Sequence, residues 1–326
     1  MQNKTTVKWY GNPNPKTNLN EIGNTSIILI KYPNCCPILA KAEYLSPTGS
    51  HKDRAILKII QSLEKENKIN PGKTTLVDYT SGNDGASLAF IGKEKGYKTI
   101  SVMPENMTIE RKDQIKQQGG ELILTPRYEF LKGARLKAEQ LVKENKNYYL
   151  INQSDNPLNV VAFKDLGIEF VDFLTKEQIE PKVFVGAIGT GASTSGICSI
   201  LKDKYKSIFC VGFEPLESAT TFSQKYNISV GVKEHKLIGT GPGKVAVNTN
   251  VKLLDYIELI RSFDTNSLEL TEGDKLLKEL NLSCGRTSKA AIYLAKKCAE
   301  MLGENNGCIL TVFYDAGWKY FSEDKK

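Results

Sequence analysis

Three short segments have residue types and spacings suited to chemistry. In SPTGSHKDR (46–54), Lys52 follows a Pro/Gly turn and precedes a helical pattern. Such a lysine is held by the turn and can point into a cleft. The nearby helix N-terminus disfavours an ammonium and favours the neutral amine, the form that bonds to an aldehyde. The ordinary alternative is one more exposed cation among 44 Lys and Arg. In GTGASTSG (189–196), the glycines follow the apolar run KVFVGA and open a helix. Glycine lets the backbone approach a ligand, and successive amide N–H groups with the helix dipole make an anion site. Thr190, Ser193 and Thr194 add hydroxyl donors. The segment is neither a dinucleotide fingerprint nor a Walker A loop, because Thr194 takes the last glycine's place and no Gly-Lys-Ser/Thr follows. It reads as a phosphate cup of unspecified kind, or as a tight βα turn that needs glycine. TSGNDG (80–85) is a third strand-to-helix turn, able to grip a carboxylate with Thr80, Ser81 and its N–H groups, or simply to cap a helix.

These loops need strands and helices to hold them. Apolar runs at 26–32, 38–43, 75–79, 98–103, 121–125, 182–187, 208–213 and 308–313 read as strands. Helical spacing follows Lys52 and covers 86–95, 108–118, 128–143, the segment from the glycine loop through Lys202, 274–279 and 288–301. Strand alternates with helix, so the fold class is α/β, with two lobes, each an open twisted mostly parallel sheet flanked by helices. The expected division is 1–150, carrying Lys52 and the TSGN loop, and 151–326, carrying the phosphate loop, with residues 1–40 partly crossing to the second lobe. The first 20 residues, rich in Asn, Pro and Gly, read as a surface arm. The three chemical loops then fall at strand ends or helix starts, the edge where open α/β sheets bind ligands.

The totals narrow the classes. The net charge of +7 is spread among alternating signs, with no basic stripe, which argues against nucleic acid. Seven cysteines without a C-x-x-C pair, and two histidines, argue against a zinc site or a disulfide framework. No signal peptide and no apolar run of about 18 residues appear, so the expectation is a cytoplasmic protein without a membrane span.

The ordered set IGNT (22–25), the lysine motif, TSGN, MPENMTIERK, QSDNP, GTGAS, EP, SCG and DAGWKY (315–320) resembles the cysteine synthase family, within the tryptophan-synthase-β-like, fold type II enzymes. The resemblance covers nearly the whole chain. It implies pyridoxal 5′-phosphate as cofactor, with Lys52 as its attachment point and the group that removes the α-proton. It implies that Asn83 bonds the cofactor's 3′-oxygen and that Gly189, Thr190, Gly191, Ala192 and Ser193 hold its phosphate. Cys284 stands where the family has a serine facing the pyridine nitrogen. The carboxylate of a small amino-acid substrate would lie against Thr80, Ser81, Gly82, Asn83, Asp84 and Gln153. No metal is implied, and a homodimer is.

The implied activity is β-replacement: an activated serine or cysteine loses its β-substituent through an aminoacrylate and a small nucleophile adds, as in cysteine synthesis. β-Elimination to pyruvate, and a binding protein that has lost catalysis, are the alternatives. Four departures from the family bear on the choice. Asp84 replaces a threonine, where it would repel a substrate carboxylate unless it points away or grips an amine or cation. His51 replaces an apolar residue. Arg286 replaces a small one and suggests room for an extra anionic group. Lys244 ends an atypical glycine segment, GTGPGK (239–244).

Overall fold

The computed structural model describes residues 4–324. Strands β1 (Thr6–Tyr10), β2 (Ile27–Lys31) and β3 (Ile38–Ala42) form an antiparallel meander. Helix α1 (Lys52–Lys65) leads away from it. Next come β4 (Thr75–Tyr79), α2 (Asn83–Glu94), β5 (Lys98–Pro104), α3 (Ile109–Gln117), β6 (Glu121–Thr125), α4 (Phe130–Glu144) and β7 (Tyr148–Leu150). Their strands make a parallel sheet in the order β6-β5-β4-β7. The chain continues through α5 (Leu158–Glu177), β8 (Pro181–Ala187), α6 (Ala192–Lys204), β9 (Phe209–Pro215), α7 (Thr220–Tyr226), β10 (Tyr256–Ile260), α8 (Leu268–Glu279), α9 (Arg286–Leu302), β11 (Cys308–Phe313) and α10 (Phe321–Asp324). The larger sheet has the order β1-β2-β3-β11-β8-β9-β10 and is parallel from β3 to β10.

The expected α/β class, with mostly parallel sheets flanked by helices, is what the chain adopts. Central parallel strands are covered on both faces, so they read as continuous apolar runs rather than alternating ones. All six residues of β11 are buried. Helix α1 turns Ile56, Ile59, Ile60 and Leu63 into a second cluster against β4 and α2 residues such as Leu76 and Leu88. Beyond β7, α7 and β10, which the sequence pattern leaves unassigned, three further places differ. Part of the expected arm is β1, paired with β2. The unassigned stretch after 150 holds the 20-residue α5, whose Asn159, Ala162, Phe163, Leu166, Gly167, Phe170 and Leu174 are buried at helical spacing. Its Val161 and Ile168 are exposed apolar residues that blur the face. Helix α8 begins at Leu268, a turn and a half before the expected start.

Each sheet has a place where successive strands leave in opposite directions. In the smaller sheet it lies between β4, whose next neighbour is β5, and β7. In the larger it lies between β8, followed by β9, and β11. Loops leaving the carboxyl ends of such strands diverge and open a crevice. Thr80 follows β4, Gln153 follows β7, Gly189 follows β8 and Asp315 follows β11. Among the described residues no helix is long and apolar enough to cross a membrane.

Candidate active site

Those four loops and the start of α1 enclose one cleft of about 890 Å³, counting its open mouth. Of the residues singled out from sequence, Lys52, Thr80, Ser81, Asn83, Asp84, Gln153, Gly189, Thr190 and Ser193 line it, as does His51. Gly82, Gly191, Ala192 and Cys284 stand behind that lining rather than in it.

Lys52 is the first residue of α1. The turn before it is tied down by long-range contacts. His51 N–H donates to the Tyr314 carbonyl (2.9 Å), and Ala316 N–H donates to the Gly49 carbonyl (3.0 Å). Thr48 N–H and hydroxyl donate to the buried Asp53 carboxyl (2.9 and 2.6 Å), and the Ser87 hydroxyl on α2 donates to the same group (2.6 Å). Held this way, Lys52 Nζ lies 3.2 Å from Asp84 Oδ1 and 3.3 Å from Gln153 Oε1. Gln153 is fixed in turn by Asn159 of α5, whose Nδ2 donates to Oε1 (2.8 Å). Burial, and then the charge of Lys52, push His51 well below its ordinary value, so its ring is neutral. It packs on Phe163 and Tyr314, with Nδ1 donating to the Tyr314 carbonyl (3.3 Å).

The TSGN turn caps α2. Thr80 Oγ1 accepts from Gly82 N–H (2.8 Å) and Gly85 N–H (3.2 Å). Arg111 of α3 braces it from below, donating to the Ser81 carbonyl (3.0 Å). Gly82 sits at φ +136°, and a Cβ there would come within 2.5 Å of Arg111 Cδ, so glycine is required. Asn83 Nδ2 donates to Asp315 Oδ2 (2.9 Å), an oxygen that also accepts from the Tyr320 hydroxyl (2.9 Å).

The second glycine loop approaches its neighbours as closely. A Cβ on Gly189 would lie 2.1 Å from the Gly239 carbonyl oxygen, and one on Gly191, at φ +78°, would lie 2.0 Å from Thr249 Oγ1. Two hydroxyls of this segment are used internally: Thr194 donates to the Ala187 carbonyl (2.5 Å), and Ser195 accepts from Asn250 N–H (2.8 Å). Thr190 and Ser193 face the cleft. The first N–H groups of α6 have no intrahelical partner, and its first turn holds no acidic residue.

A group that brings an aldehyde, a ring hydroxyl and a phosphate fits this donor set. Buried polar atoms around the cleft lack partners: Asn83 Oδ1, Thr249 Oγ1 beside Gly191, and Asp315 Oδ1. Buried polar groups are seldom left so unless a ligand completes them. Cys284 is buried, and its thiol is pushed well above the usual range, first by burial and then by Asp315, so it stays protonated.

One expectation fails. Arg286 does not open the site to an extra anion: it is buried, pairs with Glu323 (2.6 Å) and stacks over the Tyr320 ring. Glu323 and Tyr320, near the C-terminal end, hold this side chain outside the cleft lining. Arg111, Tyr314 and Asp315 were not singled out by the sequence reading, although Asp315 opens one of the motifs. Their roles come from contacts distant in sequence, from 30 residues for Arg111 and Ser81 to more than 200 for Asp315 and Tyr314, for which local spacing holds no signal.

Residues 19–312 match the family of pyridoxal-phosphate dependent enzymes. A cysteine synthase of Staphylococcus aureus is 35% identical over 94% of this chain and 96% of its own length. A solved hydrogen sulfide-producing enzyme from Fusobacterium nucleatum superposes with a TM-score of 0.84 at 30% identity, over 93% of this chain and 98% of its own. A solved O-acetylserine dependent cystathionine beta-synthase from Helicobacter pylori gives 0.83 at 30%, over 94% and 97%. With a lysine in the cleft, a glycine cradle opposite and these likenesses over nearly its full length, the chain belongs to the pyridoxal-phosphate-dependent enzymes, in the cysteine synthase family.

Proposed function

We propose that the protein catalyses β-replacement on a small activated amino acid, such as O-acetylserine, serine, phosphoserine or cysteine, to give cysteine or a related β-substituted alanine. The observation that carries this reading is the position of Lys52 Nζ, facing Asp84 and Gln153 inside the cleft that the glycine loop also lines. Bound there, pyridoxal phosphate supplies an electron sink that makes the α-carbon of an attached amino acid acidic. The protein's own residues do the rest.

Lys52 would hold the cofactor, and its Nζ, once free again, would take the α-proton. Gly189 to Ser193 hold the phosphate at the start of α6. Asn83, whose Oδ1 has no partner, would bond the ring hydroxyl. The Thr80 and Ser81 hydroxyls, the first N–H groups of α2 and the Gln153 amide orient the substrate carboxylate. Cys284, a neutral thiol, would be the group nearest the ring nitrogen and would not give it a full proton, as an aspartic acid would. Less charge then delocalises into the ring, which favours loss of a β-substituent over transamination.

The relatives differ in what their names say they make, although their folds superpose equally well. The donor and nucleophile therefore follow from side chains at the mouth rather than from the fold. We read the two sheets as cores of two lobes meeting near residue 150, and the enzyme as a cytoplasmic homodimer. Purified protein given O-acetylserine and sulfide is expected to form cysteine. Serine, phosphoserine or cysteine tested as donors locate the natural one. Pyruvate released from any of them without an acceptor, and no β-substituted product with one, would replace this reading by β-elimination.

A further inference from the structure

The turn after β4 presents hydrogen-bond donors: two hydroxyls and the first N–H groups of α2. A cradle of donors alone accepts any small carboxylate. Asp84 gives it a second character. It lies in the first turn of α2, lines the same cleft and is 5% exposed. Its Oδ1 faces Lys52 Nζ at 3.2 Å and has no hydrogen bond of its own. Behind it stands the buried Asp78, whose carboxyl accepts from Tyr79 N–H (3.0 Å) and Gln153 N–H (3.4 Å). Burial, and then the charge of Asp84, push Asp78 up to about 8, so near neutral pH the Asp78 carboxyl keeps its proton. The other titratable groups around the Lys52 nitrogen are answered otherwise. His51 is neutral, and Asp315 is engaged by Asn83 and Tyr320.

The Lys52 ammonium marks where a positive nitrogen rests against Asp84. Lys52 would hold the cofactor through that nitrogen, which would then no longer stand free as an ammonium. Asp84 would then face the cleft beside that nitrogen, where the amino group of an incoming amino acid arrives. We propose that Asp84 binds the α-ammonium of the incoming amino acid, so that the cleft selects zwitterions and rejects carboxylic acids that lack the amino group. The inference rests on the amino-acid reading above and gives Asp84 a part in specificity that the threonine common at this place cannot have. A bare carboxylate would meet the donors of the turn and a fixed negative charge together, and like charges at this range in a poorly solvated cleft repel strongly.

The test compares L-alanine, which has no β-leaving group, with propionate, the same skeleton without the amino group. Dissociation constants are measured on the cofactor-loaded wild type, Asp84→Asn and Asp84→Thr, by calorimetry and by the change in the cofactor's visible band. The threonine variant restores the family's usual residue and guards against an effect of the asparagine on folding. The expected result is a fall of roughly tenfold or more in the preference for alanine over propionate in both variants, chiefly because propionate binds more tightly. A preference unchanged in both variants, or propionate binding undetectable in all three proteins, overturns the assignment. A wild type that takes up no cofactor, or does not bind alanine, refutes the amino-acid reading itself, and that outcome is recognised without the variants.

Discussion

Lys52 and Arg54 lie two residues apart on α1 and serve opposite ends. Positions i and i+2 of a helix face different directions, so each cation enters its own buried cluster. Arg54 binds Glu43 through Nε (2.7 Å) and Nη2 (2.8 Å), and Glu169 through Nη1 (2.6 Å) and Nη2 (2.9 Å). Lys41 adds a contact to Glu169 (2.6 Å), and the Thr25 hydroxyl donates to Glu43 (2.5 Å). Burial alone would raise the Glu169 carboxyl, but Arg54 and Lys41 outweigh it and hold it at about 2. None of these carboxylate or guanidinium atoms lacks a partner. Around Lys52, by contrast, Asp84, Asn83 and Asp315 each keep a buried oxygen without a hydrogen bond. A closed network specifies structure, whereas an open one is completed by a ligand. On the proposed function, the difference separates a structural cation from a functional one on the same helix turn.

The largest expected effect comes from Lys52→Ala. On the proposed function it removes both the attachment and the proton carrier, so turnover should fall by roughly a thousandfold or more while the melting temperature changes little; steady-state kinetics with a thermal melt check both halves. Arg54→Met does the reverse. It leaves Glu43, which is fully buried, with its charge uncompensated, and costs about 3–5 kcal/mol in denaturant unfolding. Gly191→Ala tests the cradle: its backbone is left-handed, and the new Cβ would press on Thr249 Oγ1. We expect cofactor affinity to fall about tenfold in an equilibrium titration. Gly72→Ala, with the same backbone sign but open space around it, should leave that affinity unchanged.

Asp78→Asn gives a pH signature. The folded carboxyl keeps its proton up to about 8, while the unfolded one releases it near 3.8. The folded state therefore binds more protons across that window, and its stability falls as pH rises from about 4 to about 8. The asparagine variant lacks this slope, so the two proteins should match near pH 4 and the variant should gain with rising pH. Parallel stability curves would mean that Asp78 is ionised in the fold.

How much of this was legible in the sequence follows from the range of the forces involved. The glycine turns before α2 and α6 and the turn before Lys52 are local requirements of backbone geometry, and each could be read from adjacent residues. So could strands such as β8 and β11, whose burial on both faces leaves unbroken apolar runs. Helix α5 carried a readable spacing that its exposed Val161 and Ile168 obscured, and β10 is a short edge strand with Tyr256 exposed. The Asn83–Asp315 contact spans 232 residues, and Arg286 is claimed by Glu323 at the far end of the chain. Neither has a local signature. Asp84 was readable as a departure from the family, and its ion pair with Lys52 took the structure to see.

The account stands most directly on Lys52 as the attachment point. Purified protein loaded with pyridoxal phosphate, reduced with borohydride, digested and mapped by mass spectrometry should carry the reduced cofactor on the peptide containing Lys52, and Lys52→Ala should carry none. A label on any other lysine, or an equal label in that variant, would contradict the assignment of the open cluster as the active site.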